Sequence, residues 1–175
     1  MPDLRKRAAD VKLLVLDVDG VLTDGGLYYD SEGRVSKRFN VQDGLGVKVA
    51  QQAGLHVAVI TGLNHGAVES RVRELGISEY HAGHVDKVPL MRGILDRMGL
   101  DWREAAYLGD DWVDAAIMRR VGLPMAVPNA RPKVLELAAW VAPVPGGHGA
   151  VREAVEFILD CRGLLEEQWR RWAGA

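Results

Sequence analysis

A chain of 175 residues with 48% hydrophobic and 26% charged residues has the make-up of one ordinary globular domain, not of a disordered or fibrous chain. Its 22 Lys and Arg against 24 Asp and Glu leave a formal charge of −2, without the basic excess that a nucleic-acid backbone or an anionic membrane attracts. The single Cys161 cannot make an internal disulfide, residues 1–7 lack the apolar core of a signal peptide, and no apolar run is long enough to span a bilayer. The expectation is a cytoplasmic protein with no nucleic-acid or membrane partner.

In chain order, the first strong signal is the apolar run 11–18, too short for a buried helix and read as a strand covered on both faces. Residues 25–39 place aromatic and β-branched side chains around Asp30-Ser31-Glu32-Gly33, a turn sequence, and predict a projecting β-hairpin. A helix is expected over 43–53, stopped by Gly54, then a strand at 56–60 and a helix over 67–75 stopped by Gly76. After a short run near Tyr80 comes a helix over 88–98 ending at Gly99. Asp101-Trp102-Arg103-Glu104 reads as a capping box that begins only a single turn. A strand at 105–108, a helix over 112–121 stopped by Gly122 and a strand at 123–127 follow. Pro132 opens a short helix through Ala138, and 150–165 is a final amphipathic helix. The tail, about residues 164–175, carries Trp169 and Trp172 and is expected either to fray or to dock. The alternation predicts a single α/β domain over 1–175, a doubly wound parallel sheet with a hairpin insertion and no stretch long enough for a large cap.

In such a sheet, ligands bind beyond the carboxyl ends of the strands. There the sequence puts Asp17-Val18-Asp19-Gly20, Thr61-Gly62 and Gly109-Asp110-Asp111 with Asp114 beyond, while Lys87 stands at the start of a helix. Taken singly, an acid at a strand end is often a helix cap, Thr61 a turn hydroxyl and Lys87 a solvated charge. Converging acids, however, repel one another unless a cation sits among them, and carboxylate and carbonyl oxygens suit Mg²⁺. A lysine and a hydroxyl beside that ion suit a phosphoryl group.

The runs Asp17-Val18-Asp19-Gly20-Val21-Leu22-Thr23-Asp24, Ile60-Thr61-Gly62, Lys87 and Gly109-Asp110-Asp111-Trp112-Val113-Asp114 resemble, in this order, the motifs of the haloacid dehalogenase superfamily of phosphohydrolases. More narrowly, Phe39-Asn40-Val41-Gln42-Asp43-Gly44 and the stretch from Gly146 to Glu153 are similar to the 3-deoxy-D-manno-octulosonate 8-phosphate phosphatases and their sialic-acid-type relatives, a branch without a large cap. The resemblance implies a phosphomonoesterase of lipopolysaccharide precursor chemistry. Asp17 would be the nucleophile that forms an aspartyl-phosphate, and Asp19 the general acid and base. Mg²⁺ would be held by Asp17, Asp110 and the Asp19 carbonyl, with Asp111 and Asp114 orienting its surroundings or Lys87. Thr61, Gly62 and Lys87 would bind the phosphoryl group, and Asn40, Asp43 and Arg152 would help bind substrate. A homotetramer, closed by the hairpin and the C-terminal segment of a neighbour, is implied in place of the cap.

Relatives commonly carry a basic residue where this chain has Gln42 and an arginine where it has Leu63, so two anion contacts are absent and a nonulosonate 9-phosphate or another sugar phosphate stands beside the octulosonate as substrate. Arg71, Arg152, Lys37 and Arg38 are the candidates to replace those contacts, but apart from Arg152, which lies in a matched motif, the surface-charge reading is favoured for each. The competing non-enzyme reading is a receiver-like phospho-signalling domain, which also gathers acids, a Thr and a Lys at strand ends; the order of motifs argues against it. His81-Ala82-Gly83-His84 reads as a loop, the five tryptophans as packing residues and Cys161 as a small core residue.

Overall fold

The computed structural model of the chain describes residues 4–174, so residues 1–3 of the expected start and Ala175 of the tail lie outside the described residues. The sheet is built on β1 (Leu13–Leu16), whose four aliphatic side chains are all buried. Parallel strands flank it on both sides, β4 (His56–Thr61) on one and β6 (Ala105–Gly109) on the other. The full order is β5-β4-β1-β6-β7-β8, with β5 at Glu79–Ala82, β7 at Leu123–Ala126 and β8 at Trp140–Val141. From β1 the chain runs outward to β4 and β5, then returns to the other side for β6, β7 and β8. The reversal of strand order therefore falls at β1, and its carboxyl end is the crevice where a doubly wound sheet binds ligands.

The predicted strands at 11–18, 56–60, 105–108 and 123–127 all form, the first trimmed because the chain leaves the sheet at Asp17. Two edge strands escaped the sequence reading. The His81–His84 segment expected as a loop places His81 in β5, where its ring nitrogen meets Glu79, and leaves only His84 on the exposed turn.

Helices α2 (Val41–Gln52) and α7 (Ala150–Cys161) pack against each other, as do α7 and the N-terminal α1 (Leu4–Ala9). The helices α3 (Gly66–Leu75) and α4 (Val88–Met98) end on the expected left-handed glycines, Gly76 and Gly99. The helix expected over 112–121 is instead a 3-10 turn at Trp112–Asp114 followed by the short α5 (Ala115–Met118). The Asp111 side chain caps that turn and Asp114 turns its carboxylate back onto backbone amides, which tightens the first turn. The helix from Pro132 is also shorter than expected, α6 (Pro132–Leu135), and the described part of the tail forms α8 (Leu165–Ala173), an amphipathic helix that packs on α7 and buries Gln168.

The hairpin consists of β2 (Tyr28–Tyr29) and β3 (Val35–Ser36), antiparallel and outside the main sheet, as expected. Its turn is held by Asp30, whose carboxylate accepts from the amides of Glu32 and Arg34 and from the Arg34 side chain. The tryptophans divide. Trp140 stacks on Phe157 at 5.3 Å and Trp102 packs against the core, but Trp112, Trp169 and Trp172 are exposed, contrary to a general packing role. Cys161 packs partly buried against the core. Among the described residues, no helix is long and apolar enough to cross a membrane.

Candidate active site

Asp17 follows β1 directly, Thr61 ends β4 and Asp110 follows β6, so three adjacent parallel strands deliver their polar ends to one edge. They line a cleft of about 360 Å³ with Asp19, Gly62, Lys87 and Asp111. Lys87 precedes the first turn of α4 and is 1% exposed, not the solvated charge it would be alone. Its ammonium donates to Asp17 Oδ1 at 2.8 Å, Asp114 Oδ1 at 2.7 Å and the Tyr107 hydroxyl at 3.0 Å. All three donors of a lysine are thereby used.

Asp114 is fully buried and spends both oxygens on protein donors. Lys87 and the Tyr107 hydroxyl, at 2.7 Å, reach Oδ1, while the amides of Asp110 and Asp111 reach Oδ2 at 2.9 and 3.1 Å. It shapes the turn after β6 and fixes Lys87. Asp17, Asp110 and Asp114 each bring an oxygen within 4.8 Å of the others. Burial, followed by the charge of Asp114, pushes Asp17 up to about 7 against the opposing pull of Lys87. Burial, followed by the charge of Asp17, pushes Asp110 up to about 8. Burial works to lower Lys87, but the charges of Asp17 and Asp114 and their hydrogen bonds outweigh it and its pKa is raised. Two crowded carboxyls that resist ionisation, beside a third already satisfied by protein, form an oxygen donor set that fits a hard divalent cation.

The loop that carries Asp17 and Asp19 is clamped by close backbone approach. Gly20 sits at φ +81°, and a Cβ there would lie 2.0 Å from Asp110 Oδ2. The Asn129 amide bridges the Gly20 carbonyl (3.0 Å) and the Gly146 amide (2.9 Å), tying this loop to the glycine-rich turn before α7. Asp19 turns its carboxylate toward the hairpin, where Lys37 Nζ pairs with Oδ1. Lys37 is therefore not a surface charge: its side chain is fully covered.

The substrate residues expected from the 39–44 and 146–153 stretches do not line this cleft. Asn40 caps α2 by accepting from the Gln42 amide at 2.7 Å. Asp43 is buried and accepts from the amides of Gly149 and Arg152, so it joins α2 to the start of α7; burial raises its pKa. Arg152 pairs with Glu156 at 2.5 Å beside the separate groove under α8. Arg71 reaches the Asn40 carbonyl and Arg38 the Gly147 carbonyl. Sequence reasoning missed Tyr107, Asn129 and the partner of Lys37. A hydroxyl inside the otherwise aliphatic run Ala105–Leu108 was the one available signal, since a buried Tyr needs a partner.

Comparison with known proteins agrees with this geometry. Residues 79–153 match the family described as haloacid dehalogenase-like hydrolase. The 3-deoxy-D-manno-octulosonate 8-phosphate phosphatase KdsC of Escherichia coli K12 is 39% identical over 165 residues, 94% of this chain and 88% of that protein. The chain belongs to the haloacid dehalogenase-like hydrolases. Within them, a 3-deoxy-D-manno-octulosonate 8-phosphate phosphatase from Moraxella catarrhalis, solved with magnesium ion, phosphate ion and KDO, superposes with a TM-score of 0.95 at 36% identity, covering 98% of this chain and 99% of that one. A subfamily III A hydrolase from Legionella pneumophila gives 0.94 at 41% identity, over 98% and 94% of the two chains. Membership in a hydrolase family removes the receiver-like reading.

Proposed function

We propose that this protein is a Mg²⁺-dependent phosphomonoesterase that hydrolyses 3-deoxy-D-manno-octulosonate 8-phosphate through an aspartyl-phosphate on Asp17. The observation that carries the reading is Asp17 at the reversal point of the sheet, facing the cleft between Lys87 and Asp110. The carboxylates of Asp17 and Asp110 and the carbonyl of Asp19 would hold Mg²⁺, whose charge offsets the negative phosphoryl oxygens.

The chain's own groups do the rest. Lys87 draws Asp17 toward its ionised form against the burial that raises its pKa, and the ionised oxygen attacks phosphorus as the ester P–O bond breaks. Asp19 gives a proton to the departing alkoxide and later takes one from the water that opens the acyl phosphate. The Thr61 hydroxyl and the Gly62 amide donate to phosphoryl oxygens, and Asp114 with Tyr107 keeps Lys87 aimed at Asp17.

Leu63 is half-exposed at the cleft and offers apolar surface. This favours testing nonulosonate 9-phosphates and simple sugar phosphates beside the octulosonate, ranked by kcat/KM. Asn40, Asp43 and Arg152 act on substrate only through the elements that they join. A homotetramer in the cytoplasm completes the reading. Its support is the exposed apolar surface of Leu27, Tyr28 and Tyr29 on the hairpin and of Leu63, Val85 and Val113 around the cleft, which a neighbouring copy would cover.

Phosphate release tests the core of the proposal. Activity with Mg²⁺, none with chelator, and a loss of about 10³-fold or more in Asp17→Asn with unchanged circular dichroism are expected. Undiminished turnover in that variant overturns it. A monomer of full activity by light scattering overturns the tetrameric closure.

A further inference from the structure

We propose that Lys37, at the foot of the hairpin, is a positioning residue that aims the Asp19 carboxyl at the leaving group. This deepens the phosphatase reading and rests on Asp19 as the proton donor.

The cleft holds two separate ammonium–carboxylate systems. Lys87 serves Asp17 and Asp114, whereas the cation on Asp19 is Lys37, which arrives from a different element altogether. Lys37 directly follows β3, and its side chain is 0% exposed although its neighbours Ser36 and Arg38 are exposed. A covered ammonium is tolerated only when it is paired, and the carboxylate that pairs it is Asp19. The hairpin foot is pinned on the far side of Lys37 as well. Phe39 bridges to Thr23, and Arg38 Nη1 donates to the Gly147 carbonyl at 2.9 Å. Lys37 therefore reaches Asp19 from a backbone held by that one bridge and that one hydrogen bond.

The backbone of Asp19 is clamped with its loop, but among the described residues the hydrogen bond of its carboxylate is the one to Lys37. Asp19 lies beyond the end of β1, and its carboxylate is not among the three that crowd together at the strand ends. With Oδ1 held by Lys37, Oδ2 is the oxygen left to carry the transferred proton into the cleft that Asp19 lines. Without Lys37, the side chain would sample its other staggered rotamers and the proton would often be out of reach.

During the first step, the Asp17–phosphorus bond forms, the ester P–O bond breaks with its electron pair on the leaving oxygen, and that oxygen takes the proton from Asp19. A strongly basic alkoxide depends on this proton, whereas a weakly basic phenolate departs without it. The contribution of Lys37 must therefore grow with leaving-group basicity.

The test is kcat/KM, with Mg²⁺, for a series of substituted phenyl phosphates and an alkyl phosphate, in the full-length wild type, Lys37→Met, Lys37→Arg and Asp19→Asn. Lys37→Met is expected to lose about 10²-fold on the most basic leaving group and little on the least basic, so the dependence on basicity steepens toward that of Asp19→Asn. Lys37→Arg is expected to recover part of the loss. A uniform loss across the series in Lys37→Met, while Asp19→Asn steepens it, overturns the role of Lys37 alone. A wild-type slope in Asp19→Asn overturns the reading of Asp19 itself. If Lys37→Met melts early, the comparison of Lys37→Arg with Lys37→Gln decides on the same slopes.

Discussion

The carboxyl edge of the sheet and the hairpin above it both place a lysine on a catalytic aspartate, but they hold it by different means. At the sheet edge, Lys87 lies inside a closed network in which Asp17, Asp114 and Tyr107 share its three donors beneath the cleft, and β1, which leads into Asp17, and β6, which carries Tyr107, are paired on both sides. At the hairpin, Lys37 depends on two strands of two residues each, a single bridge to Thr23 and one arginine on a backbone carbonyl. The difference teaches that the charge of the nucleophile is set by the most stable part of the molecule, while the aim of the proton donor is set by one of the least supported parts. Local stability scales with packing and paired backbone, so the two halves of the reaction should respond differently to damage.

The largest effect is expected from Lys87→Met, which strips Asp17 and Asp114 of their buried counter-charge. Urea unfolding should show a loss of about 3–5 kcal/mol, as for other broken buried pairs, together with lost turnover. A loss under about 1 kcal/mol would erase the contrast between the two regions. Next comes Gly20→Ala, whose Cβ would strike Asp110 at 2.0 Å and whose φ of +81° disfavours any side chain. The Mg²⁺ concentration needed for half-maximal phosphate release should rise about 10- to 100-fold.

The pH response sharpens the electrostatic side. A carboxyl whose pKa is raised on folding holds its proton more tightly in the folded state. From 3.8 up to about 7 for Asp17 and about 8 for Asp110, the folded chain therefore binds more protons than the unfolded one, and the stability from these two groups falls as pH rises through that window. With chelator, the melting temperature should drop on going from mildly acid to mildly alkaline pH. Added Mg²⁺ should raise it more at the alkaline end; an equal rise at both ends contradicts the donor set. Tyr107→Phe removes one hydrogen bond to Lys87 and one to Asp114 without a cavity, and should cost about 1 kcal/mol in the same unfolding measurement. Smallest of all is Asp30→Ala in the exposed hairpin turn. It should leave global melting unchanged and speed amide exchange at Glu32 and Arg34, whose amides it accepts.

The central strands were legible because a strand buried on both faces reads as a nearly continuous apolar run, as β1, β4, β6 and β7 do. The edge strands were not. Glu79–Ala82 is partly exposed throughout and Trp140–Val141 is only two residues long, so neither shows the pattern. The helix expected over 112–121 failed for a functional reason, since Asp114 turns inward to serve the site instead of continuing a regular helical face. Likewise, acids at strand ends announced the site, but nothing local marked Asn129 as the brace between Gly20 and Gly146, or separated Arg152, paired with Glu156, from a residue at the cleft.

From the order of residues alone came the sheet, the hairpin, the stops of its helices and the set of groups that can carry charge at the strand ends, because periodicity, capping and turn chemistry act over a few neighbouring residues. Tertiary structure alone decided how those charges are shared: Asp114 is consumed by protein donors, Asp43 fastens one helix to another, and Lys37 lies under cover against Asp19. The Lys37–Asp19, Lys87–Asp114 and Arg152–Asp43 pairings join positions 18, 27 and 109 residues apart in the chain, and only packing brings such groups within hydrogen-bond reach and removes the water that would otherwise screen them.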